Sequence, residues 1–218
     1  VYNQNLLYHG CVPLNEDGTF REVEIYGKKY KGKALYDVLD NYVRKGFVAM
    51  DETERERGRD MMWYIWLSEN SPLFGKDKMA TFERYFLAEK ETHKEIKNPY
   101  YHFLEDGEVL DRILREFGLE TEGAHIINGH VPVKSKDGES PIKCGGKLLV
   151  IDGGFSRAYQ KETGIAGYTL IYNSYGLILA AHDPFESTEA AIEKESDIHS
   201  DSKVVKRVPH PKCVGHTH

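Results

Sequence analysis

The chain has little cysteine, no long apolar run and no excess of positive charge, and each shortage excludes a class of protein. Its three cysteines, Cys11, Cys144 and Cys213, are widely separated and odd in number, and none forms a CxxC pair. Neither a zinc ribbon nor a disulfide framework is indicated. A reducing, cytoplasmic setting follows as the expectation. No stretch of about 18 apolar residues occurs, which argues against a helix built to cross a bilayer, and no signal peptide is recognisable. The formal net charge of -6 argues against a nucleic-acid binder, whose surface would be basic. The chain also lacks an initiator Met and enters directly into a strand-like segment, so it reads as part of a longer protein.

What is present suits a globular domain. In 218 residues, 40% are hydrophobic and 29% charged, enough for a buried core and too apolar for general disorder. Asn5 to Tyr8 reads as a short buried strand stopped by His9-Gly10. Phe20 to Tyr30 alternates around Gly27-Lys28 as a hairpin would. Ala34 to Lys45 places Leu35, Val38, Leu39, Tyr42 and Val43 on one helical face, with Gly46 as the expected stop. A second helix is predicted from Thr53 to about Leu67, its charged start forming a solvated face.

Ser68 to Lys78 is polar, with a Pro and a Gly, and must be a loop. Helical patterning returns from Met79 to Glu95 and again around Val109 to Phe117, ended by Gly118. Strands are predicted at Ala124–Asn128 and Lys147–Ile151, with a hairpin of Tyr168–Tyr172 and Gly176–His182. Helices and strands alternate without a repeat, which gives a layered α/β or α+β fold. Residues 1–195 are read as one domain portion. Residues 196–218 are read as a polar tail, expected to be poorly ordered, and no periodicity marks an element from Lys203 onward.

His9 and His130 share a local pattern. Each follows an apolar strand and adjoins a glycine that lets the backbone turn sharply. A rigid strand end is a good platform for a metal ligand, and a two-metal hydrolase needs imidazoles and carboxylates holding two cations about 3.5–4 Å apart. The plain alternative is a histidine that hydrogen-bonds locally, and spacing alone leaves the two readings about even.

Resemblance moves that balance. Leu6-Leu7-Tyr8-His9-Gly10-Cys11-Val12-Pro13 resembles the His-Gly motif of calcineurin-like metallophosphoesterases. Asn128-Gly129-His130-Val131-Pro132 resembles their later Gly-His motif, and Leu148-Leu149-Val150-Ile151-Asp152-Gly153-Gly154 resembles the strand that follows it. More narrowly, the stretch from Ile127 to Leu177 and the segment from Trp66 to Phe86 resemble the bacterial class 3 fructose-1,6-bisphosphatases. The likeness runs from about Tyr2 to Val205 and extends through loops that carry no general folding constraint.

The resemblance implies the C-terminal part of a layered αββα sandwich with mixed β-sheets. It also implies hydrolysis of fructose 1,6-bisphosphate to fructose 6-phosphate and phosphate at a binuclear centre of Mn2+, Mg2+ or a similar ion, with His9 and His130 as ligands of one metal. The family's Asp-x-His, Gly-Asp-x-x-Asp-Arg-Gly and Gly-Asn-His motifs normally precede the segment matching His9, and none precedes it here. The isolated chain is therefore expected to be an inactive fragment. It is also expected to self-associate, as a homo-oligomer or less specifically, through sheet edges left without partners.

A substrate with two phosphates needs cations away from the metals. Lys76, Lys78 and Arg84 are the first candidates, and Arg157 with Lys161 the second; solvated surface charge is the alternative for each. Asp152 either supports His130 or shapes a strand-end turn. Tyr172, Asn173 and Tyr175 either line a sugar pocket or simply form the hairpin. His210, Cys213, His216 and His218 could bind zinc or nickel, but no matching second ligand pair is visible, and a drifted tail is the preferred reading. The competing function is a non-catalytic module that binds a phosphorylated metabolite or a partner protein. A phosphoprotein or dinucleotide phosphatase of the same superfamily is disfavoured by the match from Ser140 to Leu177.

Overall fold

A computed structural model describes residues 1–154, 161–173, 176–183, 187–193 and 203–208. The chain forms two compact units. One comprises Val1–Tyr8 together with Glu120–His218, and the other is His9–Leu119. Each mixes helices and strands or adds to a mixed whole, so the fold is α/β with mixed sheets. Among the described residues, no helix is long and apolar enough to cross a membrane.

The first unit is built on a four-stranded sheet in the order β1-β4-β6-β5. Strand β1 (Asn5–Leu7) lies parallel to β4 (His125–Asn128), and β4 lies parallel to β6 (Leu148–Val150). The short β5 (Ile142–Lys143) closes the far edge antiparallel to β6. Every residue of β4 and β6 is buried, as expected for parallel strands covered on both faces. A second, antiparallel sheet follows: β7 (Gly167–Asn173), β8 (Gly176–His182) and β9 (Lys203–Val208), with a register shift between Leu179 and Ala180. Leu177 of β8 packs with Ile127 and Leu149, so the two sheets share a core. The strand β9 falls within the segment where the sequence shows no period, and it pairs antiparallel with β8.

The second unit opens with a hairpin, β2 (Val23–Ile25) and β3 (Lys28–Tyr30). Its turn residues Tyr26 and Gly27 both have positive φ, 48° and 78°, the geometry whose twist suits a two-residue hairpin. The turn is thus one residue earlier than Gly27-Lys28. Helices α1 (Gly32–Val48) and α2 (Glu52–Leu67) follow. Leu35 and Leu39 of α1 and Met61 and Ile65 of α2 pack with Val23 and Ile25 as the unit's main core. Gly46 does not stop α1. It is the point of closest approach to α2: a Cβ on Gly46 would lie 2.5 Å from the Gly58 Cα. The residue that looks like a terminator is there because a side chain would not fit.

The helix expected from Met79 to Glu95 is also corrected. It breaks into α3 (Thr81–Phe86) and a 3-10 turn, Lys90–His93, with extended backbone between them at Leu87 and Glu89. A second 3-10 turn, Pro99–His102, precedes α4 (Gly107–Glu116). Asp106 caps α4 by accepting the N–H groups of Glu108 (3.0 Å) and Val109 (3.1 Å), and Val109, Leu110, Ile113 and Leu114 form its buried stripe.

Candidate functional site

Parallel pairing brings the carboxyl ends of β1, β4 and β6 to one edge of their sheet, where α/β folds place ligands. The Tyr8 N–H donates to Ile127 O (3.2 Å), extending the β1–β4 pairing by one step. His130 lies two residues beyond the end of β4, half-buried, with φ of 67°. A non-glycine residue in that region costs on the order of 1–3 kcal/mol and is concentrated at functional sites. The surrounding backbone holds it there: Val131 N–H donates to Gly129 O (2.8 Å) and Val133 N–H to Asp152 O (2.9 Å). The Asp152 carboxylate accepts the Gly154 N–H at 2.8 Å, so this side chain shapes the turn after β6.

His9 is the first residue of the other unit and is exposed. Its neighbour Gly10 is buried, and a Cβ there would lie 2.4 Å from Pro72 O. The Cys11 N–H also donates to Pro72 O (2.9 Å). The His-Gly turn is therefore anchored on the Ser68–Lys78 loop, the same loop whose sequence carries part of the family likeness. Cys11 itself is fully buried, and burial pushes its thiol up to about 12, so it serves packing rather than nucleophilic chemistry.

Lys76, Lys78 and Arg84 are brought together, although through a residue that sequence reasoning did not single out. Lys76 Nζ lies 2.7 Å from Glu95 Oε2 and Arg84 Nη2 3.4 Å from Glu95 Oε1, which also accepts the Ala80 N–H at 2.9 Å. Lys78 Nζ donates to Thr92 O (2.7 Å). Burial pushes the Glu95 carboxyl up, but the Lys76 and Ala80 hydrogen bonds and the charges of Lys76 and Arg84 outweigh it and hold it below the usual range. Backbone bonds from Asp77 N–H to Ile96 O and from Asn98 N–H to Gly75 O, both 2.9 Å, close the same clasp.

Of the second cation group, Lys161 accepts a hydrogen bond at its carbonyl from Lys136 Nζ (3.0 Å); Arg157 lies outside the described residues. Tyr172 and Asn173 lie at the end of β7, and Tyr175 lies outside the described residues, as do His210, Cys213, His216 and His218. A polar cleft of about 760 Å3 in the second unit, lined by Arg21, Lys31 and Arg112 with Glu22, Glu24 and Glu69, includes none of the predicted site residues.

Among the described residues, no three His, Cys, Asp or Glu side chains gather as a metal site. Hard divalent ions such as Mn2+ and Mg2+ favour several oxygen ligands. Two imidazoles, one in each unit, are too few to hold such an ion by themselves, so the donor set of the described residues does not fit the metal centre that the family likeness implies.

Comparison with known proteins is specific. Residues 1–218 match the family model described as Firmicute fructose-1,6-bisphosphatase. The class 3 fructose-1,6-bisphosphatase of Clostridium acetobutylicum is 59% identical over 217 residues, 99% of this chain and 33% of that protein. The one from Clostridioides difficile is 60% identical over 216 residues, 99% of this chain and 33% of that protein. The chain thus spans about a third of the length of these curated relatives. No solved structure is significantly similar to it. With its whole length matched by the family model and identities near 60%, the chain belongs to the Firmicute fructose-1,6-bisphosphatase family.

Proposed function

We propose that this chain supplies part of a cytoplasmic hydrolase that converts fructose 1,6-bisphosphate to fructose 6-phosphate and phosphate. The observation that carries the reading is the match of the whole chain, loops included, to proteins named for that activity. The finer fold reading is a metallophosphoesterase-like αββα sandwich. It is supported by a mainly parallel sheet and an antiparallel sheet that share the Ile127, Leu149 and Leu177 core.

In this reading His9 and His130 are ligands of one Mn2+ or Mg2+ ion of a binuclear centre, and the other ligands come from motifs that do not precede His9 here. Support comes from the two strand ends. β1 and β4 are neighbours, and each histidine follows its strand by two residues. Glycine or backbone packing fixes both turns before any ligand arrives. Lys78 and Arg84 are the cations proposed for the phosphate that is not hydrolysed. Lys76 joins them with its charge already largely matched by Glu95.

The test joins this chain to the upstream part of the Clostridium acetobutylicum relative and measures phosphate release from fructose 1,6-bisphosphate with Mn2+. Full turnover is expected from the joined protein and none of note from the 218 residues alone. His9→Ala and His130→Ala should each lower bound manganese about 10- to 100-fold or more, since even supporting residues around a metal have effects of that size. Undiminished metal content and turnover in both variants would remove these histidines from the site. Turnover by the 218-residue chain alone would show that the missing motifs are not required. A second reading, a non-catalytic module that binds a phosphorylated metabolite, is favoured by the small donor set of the described residues. It predicts substrate binding without hydrolysis in the joined protein as well.

A further inference from the structure

The helix pair α1–α2 uses one side for its own core and leaves another side bare. Leu35, Leu39, Met61 and Ile65 face the β2–β3 hairpin. By helical spacing, Met62, Trp63, Trp66 and Leu67 fall away from Met61 and Ile65, and they are exposed, Trp63 by 67% and Trp66 by 62%. Phe47, at 90%, and Val48 add to the same surface from α1. These residues line a groove of about 1430 Å3 whose floor is the Gly46–Gly58 contact, where the two backbones touch and the flanking side chains stand as walls.

Scattered exposed apolar residues are ordinary, but a contiguous surface with two tryptophans and a phenylalanine is not. With about 150–250 Å2 available per aromatic side chain, the six residues expose on the order of 800 Å2 together, which is what each partner contributes to a stable interface of standard size.

The polar rim indicates what kind of partner fits. Arg44 Nε is 2.7 Å from Asp40 Oδ2, Arg59 Nη2 is 2.8 Å from Glu52 Oε1, and Arg55 Nη1 is 3.5 Å from Glu52 Oε2. Lys45 is the one lining cation with no carboxylate within ion-pair distance among the described residues. Three of the four lining cations are thus held by carboxylates of their own helices, with Arg55 and Arg59 sharing Glu52, so the rim is largely paired and keeps a small positive excess. An apolar centre inside a largely paired polar rim, with about the area that each partner of a stable dimer contributes, is the composition of homodimer interfaces, and a two-fold axis requires one patch to complement itself.

We infer that a second copy of this chain packs on this surface, α1–α2 against α1–α2, forming a four-helix bundle with Trp63 and Trp66 in its centre. The inference is independent of the proposed chemistry. The chain contains two tryptophans, and both are on this face, so intrinsic fluorescence reports directly on its burial.

The experiment follows mass by analytical ultracentrifugation and tryptophan emission on dilution of the 218-residue chain, and mass alone for the longer joined protein. A dimer with blue-shifted emission that dissociates on dilution with a red shift is expected. Phe47→Glu and Trp66→Glu alter exposed positions, so far-UV ellipticity should be retained while association weakens about 30-fold or more, as central interface residues do. Monomer mass with red emission at every concentration would overturn the inference, as would association that both variants leave intact. A joined protein that remains monomeric while its α1–α2 face is protected from hydrogen exchange would assign the cover to another part of the same polypeptide and overturn it equally.

Discussion

Replacing Gly46 by alanine sets two effects of opposite sign against each other, and the structure decides which wins. Alanine is favoured over glycine in a helix interior by about 1 kcal/mol, so propensity alone makes Gly46→Ala stabilising. The new methyl, however, would lie 2.5 Å from Gly58 Cα, 3.1 Å from Gly58 N and 3.2 Å from Glu54 O. All three are backbone atoms and cannot rotate away. Ordinary contact distances require α1 and α2 to part by about 1 Å, loosening Leu35, Leu39, Met61 and Ile65 together. Overpacking of this kind costs about 1–3 kcal/mol, and a rigid backbone obstacle puts it near the upper end. The expected net effect is destabilisation of about 2 kcal/mol. With a urea slope of about 1–3 kcal/mol/M, the midpoint of unfolding followed by far-UV ellipticity should fall by about 1 M. Gly58→Ala meets Gly46 Cα at 2.6 Å and should behave alike, and the double variant should lose less than the sum because the first methyl already separates the helices. A midpoint that stays put or rises in the single variants would refute the close-packed crossing.

Two further predictions rest on polar contacts, one part-buried and one buried. The Glu95 carboxyl titrates below its unfolded value of about 4.3, so its contribution is complete above that value and is lost as pH falls through the lower folded one. The clasp between Gly75 and Asn98 should therefore open on acidification below about pH 4, seen as faster hydrogen exchange at the Ala80 and Asp77 amides relative to α4, and Glu95→Gln should abolish this added acid sensitivity; an identical acid response in the variant would count against the clasp. Asn98, 4% exposed, accepts the N–H groups of Leu14 (3.1 Å) and Tyr100 (3.0 Å) through one oxygen, and each buried donor left unsatisfied costs about 1–3 kcal/mol. Asn98→Ala should lose at least about 2 kcal/mol in thermal or urea unfolding, and a near-neutral result would mean that water replaces the amide.

Much of the fold is readable along the chain because its signals are local. Apolar runs ended by glycine mark β1, β4 and β6, β7 and β8 pair antiparallel where a hairpin is predicted, and α4 shows its stripe and its terminating Gly118. The parallel register of β1 with β4 is not local, since Leu6 finds Ile126 across more than a hundred residues. Gly46 was misleading for the same reason: its meaning lies in Gly58, twelve residues away on another helix. The segment from Met79 to Glu95 keeps a helical pattern, yet Lys76, Lys78 and Arg84 draw Glu95 and the Thr92 carbonyl back toward the loop and break it. The histidine-bearing strand ends could be named from sequence, whereas the carboxylate that organises the candidate phosphate cations could not, because no period links a loop to a turn.

The neighbouring placement of β1 and β4 has a kinetic side. The whole His9–Leu119 unit is inserted between these two strands, roughly 110 residues of chain. Bringing the ends of a flexible loop of that length together costs about 4 kcal/mol of entropy, and a three-residue strand has few contacts with which to offset it. An insert that folds first replaces the flexible loop with a compact body and removes much of that cost, so β1 depends for its place in the sheet on a unit to which it does not belong. In pulse-labelled refolding, the amides of β1 should gain protection only after those of α1 and α2; the reverse order would mean that the sheet assembles without help from the insert.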